Sequence, residues 1–125
     1  MSNEIKFFIA GVQFHPGAAA AIRKLSEGDE VYLVPEPTNK YDLNAVRIEN
    51  EEGVLLGYVP KVFSSKVAAL LEVDPCECLV ETVTPNAKTY EMCRVVIRQS
   101  DEIYDEDGTN ADNAYLLNDT DEENE

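Results

Sequence analysis

A small, mainly β barrel carrying two helices is the fold class this sequence predicts. Three observations lead to it. The chain has 125 residues, of which 44% are hydrophobic, enough for one compact core. Six short apolar segments have strand character and are joined mostly by tight turns. Only two segments carry helical character, so a six-stranded barrel with two helices fits better than an open βαβ sheet.

The elements follow in chain order. Phe7–Val12 reads as the first strand. The alanine-rich stretch Gly17–Leu25 has high helix propensity, with Gly28 as its stop signal. Glu30–Val34 alternates as a strand until Pro35 and Pro37, which cannot continue a central one. Ala45–Ile48 and Val54–Gly57 flank the turn Glu49–Gly53 and read as a hairpin. Pro60 suits the first turn of a second helix, and Phe63, Val67, Leu70 and Leu71 then share one face of it. Two final strands, Glu77–Val83 and Tyr90–Arg98, enclose the turn Thr84–Ala87.

Charge divides the chain. The net charge is −15, yet residues 101–125 hold eleven of the 25 acids and no Lys or Arg. Such a stretch repels itself and buries little, so residues 100–125 are expected to form a mobile acidic tail behind a domain at 1–99. The domain itself is only mildly acidic, which permits a local basic site. No run of apolar residues is long enough to span a membrane. The start, Met1–Lys6, lacks the basic opening and apolar stretch of a secretory leader. The three cysteines are too few for a disulfide scaffold, so a cytoplasmic setting is expected. Cys76, Cys78 and Cys93 with a single His also make a poor zinc set, and Cys78 and Cys93 read as small apolar strand residues. No phosphate-binding loop, nucleophile elbow or cofactor motif is present, so a non-enzyme without cofactor is expected.

Three blocks stand out: Gly11-Val-Gln-Phe-His-Pro-Gly17, Glu36-Pro-Thr-Asn-Lys-Tyr-Asp-Leu-Asn-Ala45 and Gly57-Tyr-Val-Pro-Lys61. In this order they resemble the signature blocks of the HIRAN domain family over roughly residues 5–98. That family occurs at the front of DNA translocases of replication-fork repair and as small stand-alone proteins. The resemblance implies a modified OB-like barrel with two helices. It also implies a site that grips the 3′ end of single-stranded DNA, in repair or replication-associated processes, with a DNA-processing protein as a further partner.

The residues supply the chemistry. Tyr41 offers a platform for an unstacked base, and stacking contributes about 1–3 kcal/mol per base. Asp42 beside it can accept a hydrogen bond from a terminal 3′-OH and repels a phosphate in the same place. Taken alone, the pair also admits a structural reading, with Tyr41 capping the barrel and Asp42 forming an Asx-type turn. Lys61 opens the second helix, where free N–H groups and a positive end favour a phosphate. The resemblance assigns Lys61 a phosphate contact and brings Asn39 and Tyr58 into the site, while Lys40 and Lys66 can add charge to a small patch beside it. Tyr58, where some relatives carry His, can stack or donate from its hydroxyl. Gln13, Phe14 and His15 match an Arg-aromatic-aromatic run at the end of the first strand, but Gln13 lacks the charge and His15 the larger ring. These two departures favour a rival reading, a protein-interaction module on the same barrel with little DNA affinity.

Overall fold

Alternation at the start of the chain sets the first strand: Ile5, Phe7 and Ile9 are buried, while Glu4, Lys6 and Phe8 face outward. The computed structural model describes residues 3–99. In it β1 spans Asn3–Phe8, earlier than the expected Phe7–Val12. The contiguous apolar run from Phe7 does not extend the strand, because Gly11 turns left-handed at φ 75. Val12–Phe14 then closes a 3-10 turn, with the Phe14 N–H donating to the Gly11 carbonyl at 3.0 Å.

Helix α1 spans Ala18–Arg23, shorter than expected at both ends. The Lys24 and Leu25 N–H groups reach back three residues, to Ala21 and Ile22, which tightens the last turn and ends the helix before Gly28. Strand β2 (Glu30–Pro35) runs one residue past the expected Val34 and ends on Pro35, which still pairs with Val46. β3 (Val46–Glu49) and β4 (Leu55–Tyr58) form the expected hairpin, shifted by one residue. Pro60 immediately precedes α2 (Lys61–Val73). Val67 is fully buried, and Phe63, Leu70 and Leu71 pack against the core, as their spacing predicted. Gln99 donates to the Leu70 and Asp74 carbonyls at 3.0 and 3.3 Å, tying the end of the helix to the end of the last strand. β5 (Glu77–Val83) has the expected bounds. β6 spans Cys93–Gln99, because Thr89–Glu91 forms a second 3-10 turn where the strand was expected to begin.

The sheet order is β1-β6-β5-β2-β3-β4, every neighbouring pair antiparallel. Its two ends are brought together just beyond β1. The Ala10 N–H donates to the Tyr58 carbonyl at 2.9 Å, and the Tyr58 N–H returns a bond to the Ala10 carbonyl at 2.8 Å. This bridge curls the sheet into a barrel and fixes the segment after Gly11 next to β4. It requires glycine at Gly57, whose φ is 152 and where a β-carbon would collide with the Ala10 carbonyl oxygen and with Ile9.

Inside the barrel lie Ile9, Val31, Val46, Ile48, Leu56, Val95 and Ile97, all essentially inaccessible. Burying each such side chain contributes roughly 1.5–3 kcal/mol. Phe63 of α2 stacks on Phe7 with ring centroids 5.8 Å apart, docking that helix on the barrel. Cys78 and Cys93 are buried strand residues, and burial pushes the Cys93 thiol up to about 12 and the Cys78 thiol further still. Both are inert thiols at neutral pH. The acidic segment 100–125 lies outside the described residues.

Candidate nucleic-acid interface

The loop between β2 and β3 templates itself through short polar side chains. Asn39 Oδ1 accepts the N–H groups of Tyr41 and Asp42 at 2.8 and 3.0 Å, and its Nδ2 donates to Glu36 Oε1 at 3.0 Å. Asp42 Oδ1 then accepts the Asn44 N–H at 2.9 Å. These are Asx-type bonds, in which a side chain replaces a backbone partner. Asn39 is therefore the organiser of the loop, with one N–H left to offer a ligand.

Tyr41 rides on this frame and is 88% exposed. A ring so exposed does not cap the barrel, which removes that half of the structural alternative. The other half holds, since Asp42 does make the Asx turn. Asp42 does more than that: its Oδ2 accepts the hydroxyl of Ser64 at 2.7 Å, tying the loop to the first turns of α2. The Ser64 hydroxyl, the Asn44 N–H and the charge of Lys61 hold the Asp42 carboxyl below its ordinary value, against a smaller opposing effect of burial. At neutral pH it is an anion with acceptor capacity left on each oxygen. Lys61, exposed at the start of α2, stands within electrostatic reach of it. Lys40 is exposed beside Tyr41.

Behind the loop sits a carboxylate that the sequence did not single out. Glu36 accepts the Tyr58 hydroxyl with both oxygens, at 2.9 and 3.0 Å, and meets Arg47 Nη1 at 3.3 Å. Burial pushes the Glu36 carboxyl up, but the bonds from Asn39 and Tyr58 and the Arg47 charge outweigh it and leave it lowered. Tyr58 responds in the opposite sense, raised by burial and by its bond to Glu36. Its one hydroxyl proton is thus engaged by Glu36 rather than offered to a ligand. What Tyr58 offers is its ring, whose centroid lies 5.7 Å from that of His15 at a 42° tilt.

Gln13, Phe14 and His15 lie on and just after the 3-10 turn, not at the end of a strand. Phe14 is 74% exposed. Gln13 Oε1 accepts the Thr89 hydroxyl at 3.3 Å. The Ala10–Tyr58 bridge sets this turn beside β4, so a continuous contact path runs from Gln13 through Phe14, His15, Tyr58, Glu36 and Asn39 to Tyr41 and Asp42. Lys61 joins through Ser64 and Asp42. Gln13, Phe14 and Lys40 join this group through their chain neighbours. Glu36 and Ser64 had faint signals in the sequence, an acid between two prolines and a serine on the inward face of a helix. Among the described residues no cluster of His, Cys, Asp or Glu could hold a metal ion.

Comparison with known proteins bears on this arrangement. The fold is similar to the crystal structure of the HIRAN domain of human HLTF, at 19% identity over 78% of this chain and 77% of that one, with a TM-score of 0.62. It is similar also to a protein from Lactobacillus plantarum, at 18% identity over 78% of this chain and 97% of that one, with a TM-score of 0.65. The solution structure of the HLTF domain gives 17% identity, 81% coverage of each chain and a TM-score of 0.52. A search of the curated proteins found no significant match. The family model for the HIRAN domain matches residues 2–103, and by that match the chain belongs to the HIRAN domain family.

Proposed function

We propose that this chain is a nucleic-acid-binding module that receives a single-stranded DNA end bearing a free 3′-OH. The observation that carries the reading is Tyr41, a fully presented ring on a loop locked from below, with the ionised Asp42 next to it. A terminal base stacks on the ring and its sugar hydroxyl donates to Asp42. Lys61, Lys40 and the exposed ring of Phe14 serve the preceding nucleotide. The 3′-end function implied by the family resemblance agrees with this division of roles. No residue of the site is assigned a catalytic step.

A second reading, docking of a protein partner, is favoured by Leu43 and Val62, which are 73% and 80% exposed on either side of the Asp42–Ser64 bond. Anisotropy titration with a single-stranded oligonucleotide and its blunt duplex separates the two. DNA recognition requires tighter binding of the single strand, whereas binding of neither form leaves protein docking.

A further inference from the structure

A groove of about 870 Å³ runs beside α1 and is closed on its other side by the start of β2 and the β3–β4 turn. The loop that presents Tyr41 joins the opposite ends of β2 and β3. The groove is held open by bonds within the fold. Asn50 Oδ1 accepts the N–H groups of Glu52 and Val54 at 2.9 and 2.8 Å, which fixes the β3–β4 turn. The Asp29 carbonyl accepts the Val80 N–H at 2.8 Å, and Asp29 Oδ2 accepts the Ser26 N–H at 2.8 Å.

Its lining has an apolar part and a charged part. Leu25 and Val54 are half-buried there, and Tyr32 is 41% exposed. The exposed acids Asp29, Glu30, Glu51 and Glu52 face one cation, Lys24, an excess of three negative charges. Among the described residues Glu36, Glu49 and Glu81 are held in ion pairs, whereas none of these four acids is. Such a lining repels a phosphate backbone, so the groove does not extend the DNA site. It suits a guanidinium, a plane that stacks on an aromatic ring and donates paired N–H groups to carboxylates. The six residues of α1 rise about 9 Å, the length of about three extended residues.

We propose that this groove docks a short extended segment of a partner protein in which arginine alternates with an apolar residue. The guanidinium stacks on Tyr32 and pairs with the unengaged carboxylates, while the apolar side chain covers Leu25 and Val54. Charge alone does not define the segment, because the apolar lining has to be covered as well. The inference does not depend on the end-binding function.

The isotope-labelled full chain is titrated by NMR with the blocked peptides Arg-Leu-Arg-Leu-Arg and Arg-Gly-Arg-Gly-Arg. The leucine peptide should shift the amides of Ala20, Lys24, Tyr32 and Glu52, and the glycine peptide should bind at least about fivefold more weakly, since it buries no apolar side chain. Glu51→Gln combined with Glu52→Gln should weaken the leucine peptide about two- to 30-fold, the worth of two exposed ion pairs. Both are exposed turn residues, and the unchanged shifts of buried amides check that the variant is folded. Equal affinity for the two peptides overturns the proposal, because general attraction to an acidic protein is then sufficient. So do shifts confined to residues 101–125, or to the loop around Tyr41, and so does a double variant that binds as the parent does.

Discussion

Tyr41 and Asp42 divide the work of recognition at the residue scale, and each can be removed separately. The Tyr41 ring touches little of the fold, so Tyr41→Ala should cost about 1–3 kcal/mol of single-strand binding and leave the melting temperature within error. Loss of folding on that substitution would instead make the ring structural. Asp42 is tied to Ser64 and Asn44 as an anion. Its folded pKa lies below the ordinary 3.8, so its anchoring is complete above that value and is lost as pH falls through the lowered one. An NMR titration of the Tyr41 to Asn44 amides should therefore show its midpoint below 3.8. A midpoint at or above 3.8 would mean that the bonds to Ser64 and Asn44 do not persist in solution. The Tyr-Asp pair was legible because the two residues are adjacent in sequence. The bond from Tyr58 to Glu36 was not, since it joins residues 22 apart and depends on β3 pairing between β2 and β4.

At the scale of elements, the close approach of Ala10 to β4 decides where Phe14 and His15 stand. Gly57 permits that approach. Gly57→Ala should destabilise the domain by at least about 2 kcal/mol, from strain at a positive φ together with the displaced Ala10 carbonyl. Urea unfolding measures this directly, and a loss below about 0.5 kcal/mol would show that the bridge gives way without consequence. The hydrophobic face of α2 was readable from its 3.6-residue period, a local property. The start of β1 was misjudged because the apolar run from Phe7 outweighed the weaker alternation of Ile5, Phe7 and Ile9. The two 3-10 turns had no sequence period to betray them. Val12–Phe14 exists because Gly11 turns left-handed and the Ala10 bridge holds it in place, a tertiary cause.

Across the whole molecule, charge opposes the function more than it drives it. The chain carries −15 overall, and the carboxylates Glu36 and Asp42 sit within the site itself. Affinity should therefore come from stacking and the end-specific hydrogen bond, with two or three phosphate contacts at most. For a single strand that corresponds to a log K against log[salt] slope of roughly −1.4 to −2.1. A much steeper slope, measured by titration across several salt concentrations, would reveal a basic surface larger than Lys40 and Lys61 provide.

Paired titration of the same labelled single strand ending in a 3′-OH or a 3′-phosphate tests end recognition most directly. Two unit charges about 4 Å apart interact by roughly 4 kcal/mol at an effective dielectric of about 20, so even a fraction of that repulsion by Asp42 is measurable. The 3′-OH strand should bind at least about tenfold tighter, a difference of about 1.4 kcal/mol, and Asp42→Asn should narrow the gap. Equal affinity for the two ends would contradict a role for Asp42 in recognising the terminus.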